Sequence, residues 1–173
     1  VGREVTRAAL LVVAVAACAL VLAGAACKRS GPDWRIIQLY ANERTLDLLA
    51  HPASVRAFRL DPVRREGPPG DVHAGPFAAA GDAREVPADA AAELSRVLTD
   101  AASYDWQRGP KGSGFRPQVG LWFVRGSYVL ELAVDLDSAQ VGVYAGGQTL
   151  GLQSVDPAAA GLAEIAGKVL PPR

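Results

Sequence analysis

Between residues 119 and 152 apolar side chains recur at every second position, and turn-forming pairs interrupt them at short intervals. Val119, Leu121 and Phe123 alternate before Arg125-Gly126 turns the chain. Tyr128, Leu130, Leu132 and Val134 alternate next, followed by a turn over 135–138. Val141 and Val143 mark a third strand, Gly146-Gly147 a hairpin turn, and Leu150 and Leu152 a fourth strand. A period of two puts one set of side chains on one face of a sheet. Paired glycines accept the positive φ that two-residue hairpin loops require. Strands joined by loops this short run antiparallel, because a parallel pair needs a crossover of a dozen or more residues. The pattern predicts a four-stranded antiparallel meander.

Helical signals surround it. Asn42 is placed to cap a helix over 43–50, whose apolar side is Thr45, Leu46, Leu48 and Leu49, with Pro52 stopping it nearby. Leu94, Val97, Leu98 and Ala101 recur at helical spacing over 88–102. Asp156 and Pro157 read as the N-cap and first residue of a last helix lined by Leu162, Ile165, Ala166 and Val169. Ile36, Ile37, Leu39 and Tyr40 open the fold, and Val55, Ala57, Phe58 and Leu60 predict a strand. Residues 61–87 hold five Pro and four Gly, so they are expected to be irregular, with a brief pairing over 72–77. Residues 103–118 read as a loop. The expectation is one α+β domain over 34–173, with two to three helices on one face of the meander. The other face is expected to be partly wet, with Trp122 and Val129 exposed or covered by the N-terminal segment.

Upstream, Arg3 and Arg7 precede an apolar and small-residue run over 8–26, and Cys27 follows with Lys28, Arg29 and Ser30 behind it. Basic stub, apolar stretch and small residues are the order of a secretory signal peptide. The stretches Gly24-Ala25-Ala26-Cys27 and Val15-Ala16-Ala17-Cys18 both resemble the lipobox of bacterial lipoproteins, in which the cysteine is acylated and becomes the new N-terminus. Cys18 has the better local match. Cys27 is favoured, because cleavage before Cys18 would leave residues 19–26 as an exposed apolar tail. The resemblance implies a signal peptide over 1–26, a lipidated tether over 27–33, and a partner in the membrane through the lipid. It places the protein on the periplasmic or outer face of the cell envelope. Two alternatives stand: secretion as a soluble protein after cleavage at Ala23-Gly24-Ala25, or an uncleaved span, since 19 residues approach the roughly 20 a membrane helix needs. With no Met and Val1 first, the chain reads as a precursor begun at an alternative start codon.

Composition narrows the function classes. Cleavage before Cys27 leaves 147 residues with one acidic side chain in excess, which argues against a nucleic-acid surface. The body then has no cysteine beyond Cys27, and so no disulfide. No catalytic, phosphate-loop or zinc-binding motif is present, so neither an enzyme, a cofactor nor a metal is expected. His51 and His73 lie in Pro/Gly-bounded loops and read as surface histidines. Asp135 and Asp137 read as turn formers rather than a cation site. The tip over 109–114 lacks the spacing of a phosphate loop. Tyr104, Trp106, Phe115 and Trp122 are candidates to line an aromatic groove for a ligand or partner, or else to fill the space between sheet and loop.

A second resemblance is carried by Ser103-Tyr104, Lys111, Phe115-Arg116-Pro117, the run Leu132-Ala133-Val134-Asp135-Leu136-Asp137 and the Asp156-Pro157 helix. Together they are similar to a group of uncharacterised small bacterial proteins. That group has cysteines where this chain has Ser113, Ala133 and Leu136, so no thiol or metal role is carried over, and the resemblance implies the α+β layout alone. The functional expectation is a surface-tethered, non-catalytic module that binds another envelope component. The alternatives are an envelope hydrolase using His51 or His73 with a carboxylate, and a small protease inhibitor inserting the 109–117 loop.

Overall fold

The main sheet has six strands, not the four expected. The computed structural model describes residues 31–63, 71–111 and 114–170, and Pro32–Arg173 forms one compact unit. In chain order the elements are α1 (Trp34–Leu39), α2 (Glu43–Ala50), β1 (Ser54–Arg59), β2 (His73–Ala74), β3 (Phe77–Ala78), β4 (Arg84–Glu85), α3 (Ala88–Thr99), β5 (Val119–Arg125), β6 (Tyr128–Asp135), β7 (Gln140–Ala145), β8 (Gln148–Ser154) and α4 (Ala159–Val169). The sheet order is β4-β1-β5-β6-β7-β8, antiparallel throughout. The expected meander is β5 to β8. β1 and β4 extend it, and β4 is two residues long, too short to show an alternation in sequence.

Register explains the two faces. Ala57, Leu121, Leu132 and Val143 stand opposite one another across β1, β5, β6 and β7. They belong to an apolar cluster that takes Ile36 and Leu39 from α1, Leu46 and Leu49 from α2, Leu94 and Leu98 from α3, and Leu162 and Ile165 from α4. Each such side chain, fully buried, contributes about 1.5–3 kcal/mol. The next row, on the opposite face, runs Phe58, Gly120, Ala133, Gly142. Small residues are needed there, because a Cβ at Gly120 would overlap the Phe58 ring and one at Gly142 would overlap the Tyr144 ring.

Part of that second face is covered from within the domain. The β2–β3 hairpin, which comes from the Pro/Gly-rich stretch, covers it with Ala74 and Phe77, packed with Phe58, Ala133 and Tyr144. Gly75 makes the hairpin possible: its φ is +54°, and a Cβ would enter the Tyr144 ring. Its N–H donates to Glu131 Oε2 at 2.8 Å, and the Trp122 indole N–H donates to the His73 carbonyl. Trp122 and Val129 are half-buried.

The caps divide. Asn42 Oδ1 accepts from the Thr45 N–H at 2.9 Å, as its position predicts. Asp156 does not cap α4. A 3-10 turn (Asp156–Ala158) precedes that helix, with Val155 at its cap position, and the Asp156 carboxylate instead accepts from Lys111 Nζ and Ser154 Oγ. The tethering of Lys111 and Arg116 fixes both sides of the 105–118 loop: the Lys111 N–H donates to Gln140 Oε1 and the Arg116 N–H to Asp135 Oδ2. No helix among the described residues is long and apolar enough to cross a membrane. The run over 8–26, with Cys18 and Cys27, lies outside them.

Candidate functional site

β4 pairs with β1 only at Arg56–Glu85 and Ala57–Arg84. Beyond the Val86 N–H bond to the Val55 carbonyl, the start of β1 has no neighbouring strand on that side among the described residues, and a cleft of about 330 Å³ opens where α2 runs into β1 and β4 into α3. One wall is Ala50, His51, Pro52 and Ser54, and the other is Glu85, Ala88, Ala91 and Ala92. Alanine on both walls leaves the space unfilled. Ser95 also lines it, and its Oγ is buried without a hydrogen-bond partner among the described residues. An unmet buried hydroxyl costs about 1–3 kcal/mol. The volume lies at the small end of ligand pockets.

His51 sits at the rim as the C-cap of α2, its backbone N–H bonded to the Asp47 carbonyl. Its Nδ1 is 3.1 Å from Asp47 Oδ1, and Arg125 donates to Asp47 Oδ2 at 2.7 Å. The Arg125 bond, then the His51 bond, hold the Asp47 carboxyl below its ordinary pKa. Arg125 also lines a smaller depression of about 180 Å³, with Asn42, Arg44, Leu48 and Tyr128, and the Arg44 guanidinium lies 4.2 Å above the Tyr128 ring.

His73 has a different setting. Its Nδ1 is 2.7 Å from the Asp71 carbonyl, which only accepts, so that nitrogen carries the proton. Its Nε2 lies 3.7 Å from Glu131 Oε2, a buried carboxylate. Both histidines thus lie beside an acid, but only His51 is within hydrogen-bond distance of its carboxylate. No hydrogen bond among the described residues joins either to a serine or threonine hydroxyl.

The four aromatic candidates do not share one groove. Tyr104 is buried on the helical side, donating to the Leu98 carbonyl at 2.7 Å and bonded to the Tyr40 hydroxyl at 2.8 Å. Burial drives the Tyr104 hydroxyl well above its ordinary pKa. Trp106 lies against Tyr104 and donates to the Ala101 carbonyl. Phe115 and Trp122 lie on the opposite face, packed edge-on against Phe77 and Phe58. Asp135 spends both oxygens on the N–H groups of Arg116, Asp137 and Ser138. No group of three His, Cys, Asp or Glu among the described residues is arranged to hold a metal ion. Of the cleft, sequence reasoning singled out His51 alone. Alanine walls carry no motif, and Ser54, Glu85 and Ser95 meet only through the fold. Comparison with protein-family models, curated proteins and solved structures finds no match.

Proposed function

We propose that the chain is an exported lipoprotein of the cell envelope, acylated at Cys27, and that its folded domain is a non-catalytic module which binds another envelope component at the α2–α3 cleft. The anchor is supported by the Gly24-Ala25-Ala26-Cys27 stretch behind an apolar run, with Cys18 as the alternative position. The binding role is carried by one observation: a cleft of about 330 Å³ whose alanine walls leave it unfilled and whose lining includes Ser95, its buried hydroxyl without a partner among the described residues. A photo-reactive amino acid at exposed Ala92 tests it in the producing cell. A discrete adduct that disappears in Ala91→Trp, which fills the cleft, is the expected result. Absence of any adduct, or an adduct unchanged by Ala91→Trp, contradicts it.

A second reading, an envelope hydrolase, is favoured by the Asp47–His51 pair at the rim of a cleft that Ser54 also lines. An oriented imidazole near a hydroxyl is the start of a nucleophile–base arrangement. Ester turnover abolished by both His51→Gln and Ser54→Ala would establish this reading in place of the first. The inhibitor reading has less support, since the bonds of Lys111 and Arg116 bind the loop to the domain on both sides of its tip.

A further inference from the structure

We propose that Trp34 seats in the headgroup–acyl boundary of the bilayer that holds the Cys27 lipid, so that the domain meets the membrane through α1 as well as through its anchor. The inference rests on the anchor reading above. Trp34 is 69% exposed, ahead of Val63 and Tyr128, the other large apolar side chains left in water among the described residues. An indole offers 150–250 Å² to bury, with an N–H that needs a polar neighbour. That combination suits the interface, where tryptophan is enriched.

The surroundings of Trp34 fit this position. Asp33 and Arg35 flank it, and they are paired with each other through Nη2–Oδ2 at 2.7 Å and Nε–Oδ1 at 3.0 Å. The Arg35 guanidinium also lies 5.0 Å from the centre of the Trp106 ring. Both neighbouring charges are therefore satisfied within the domain. Ile37, one turn along α1, is only half-buried and extends the apolar surface. Chain length sets the geometry. Six residues lie between Cys27 and Trp34, seven Cα–Cα steps that span at most about 25 Å when extended, so an acylated Cys27 keeps the indole within reach of the bilayer. Lys28 and Arg29 lie in that span and favour an anionic leaflet. An indole held there orients the domain, where a lipid tether alone would let it tumble.

The test uses the full chain produced with labelled fatty acid in a bacterial host and reconstituted into phosphatidylethanolamine–phosphatidylglycerol vesicles, with and without brominated acyl chains. Tryptophan emission of the wild type is compared with that of Trp34→Ala. Trp106 and Trp122 donate to the Ala101 and His73 carbonyls in both proteins, so their emission cancels in the difference. The expected result is labelled protein whose emission shifts to the blue on vesicles and is quenched by bromine, with both effects lost in Trp34→Ala at an unchanged melting temperature. Labelled protein with no quenched component overturns the proposal and leaves the anchor standing. That outcome covers an indole facing water or another protein. Protein that takes up no label overturns the anchor reading and the proposal with it.

Discussion

Replacing Asp135 by alanine removes the group that closes the β6–β7 turn. Asp135 is 1% exposed. Its Oδ2 accepts the Arg116 N–H at 2.8 Å, and its Oδ1 accepts those of Asp137 and Ser138 at 3.1 and 3.0 Å. Alanine leaves three backbone donors without their partner in a half-buried turn. An unmet buried donor costs about 1–3 kcal/mol, and taking the lower end for each gives a loss of about 3–4 kcal/mol. That is a large part of a typical domain stability of about 5–15 kcal/mol. Urea unfolding at neutral pH reads the loss directly. Asp137→Ala is the control. Its exposed carboxylate accepts only from the Gln118 side chain among the described residues, so its effect should stay within about 0.5 kcal/mol. The pH dependence gives a second arm. Burial raises the Asp135 pKa, but the backbone bonds from Arg116 and Ser138 outweigh it, and the net shift is downward. A depressed folded-state pKa means that the unfolded chain takes up the proton first. The contribution is thus whole above the unfolded value of about 3.9 and is lost as pH falls through the lower folded value. Wild type should lose stability in this acid window more steeply than Asp135→Asn. An unfolding midpoint for Asp135→Ala equal to that of wild type would refute the reasoning.

Three further substitutions probe the two faces of the sheet and the last helix. Leu132 is fully buried in β6, so Leu132→Asp buries an unpaired charge at several kcal/mol, and circular dichroism should show an unfolded or aggregated protein. Gly120→Ala puts a Cβ into the Phe58 ring and should cost about 1–3 kcal/mol, as overpacking does. Gly161→Ala, in α4 with nothing within 4 Å of the new Cβ, should instead stabilise by about 0.5–1 kcal/mol, the helix penalty of glycine; thermal melts separate the signs.

How legible each part was follows from how its side chains are distributed. β5 to β8 could be read because Val119, Leu121, Phe123, Leu130, Leu132 and Val134 all face one continuous core, and alternation records that directly. The opposite face was hidden. Gly120, Ala133 and Gly142 are small because Phe58 and Tyr144 need the space above them, and small residues carry no period. The hairpin that covers them has two residues in each strand, so its local signal is Pro and Gly. α1 is six residues long, less than two turns, and Ile36, Ile37, Leu39 and Tyr40 fit several structures equally well. Composition marked Tyr104, Trp106, Phe115 and Trp122 as one aromatic group, yet the sheet separates them into two pairs. The cleft was illegible for a further reason. It exists because β4 is short and its walls are alanine, so it is defined by what is missing from each side.

The central claim is that the domain is held at a membrane by lipid on Cys27. Labelled fatty acid uptake in a bacterial host, with the mass of the mature N-terminus, tests it most directly. The wild type should carry label and begin at residue 27; Cys27→Ala should lose label and detergent partitioning, and Cys18→Ala should keep both. Label lost in Cys18→Ala instead would move the anchor to residue 18. An unlabelled wild type, whether released by osmotic shock or retained at precursor mass, would contradict the account.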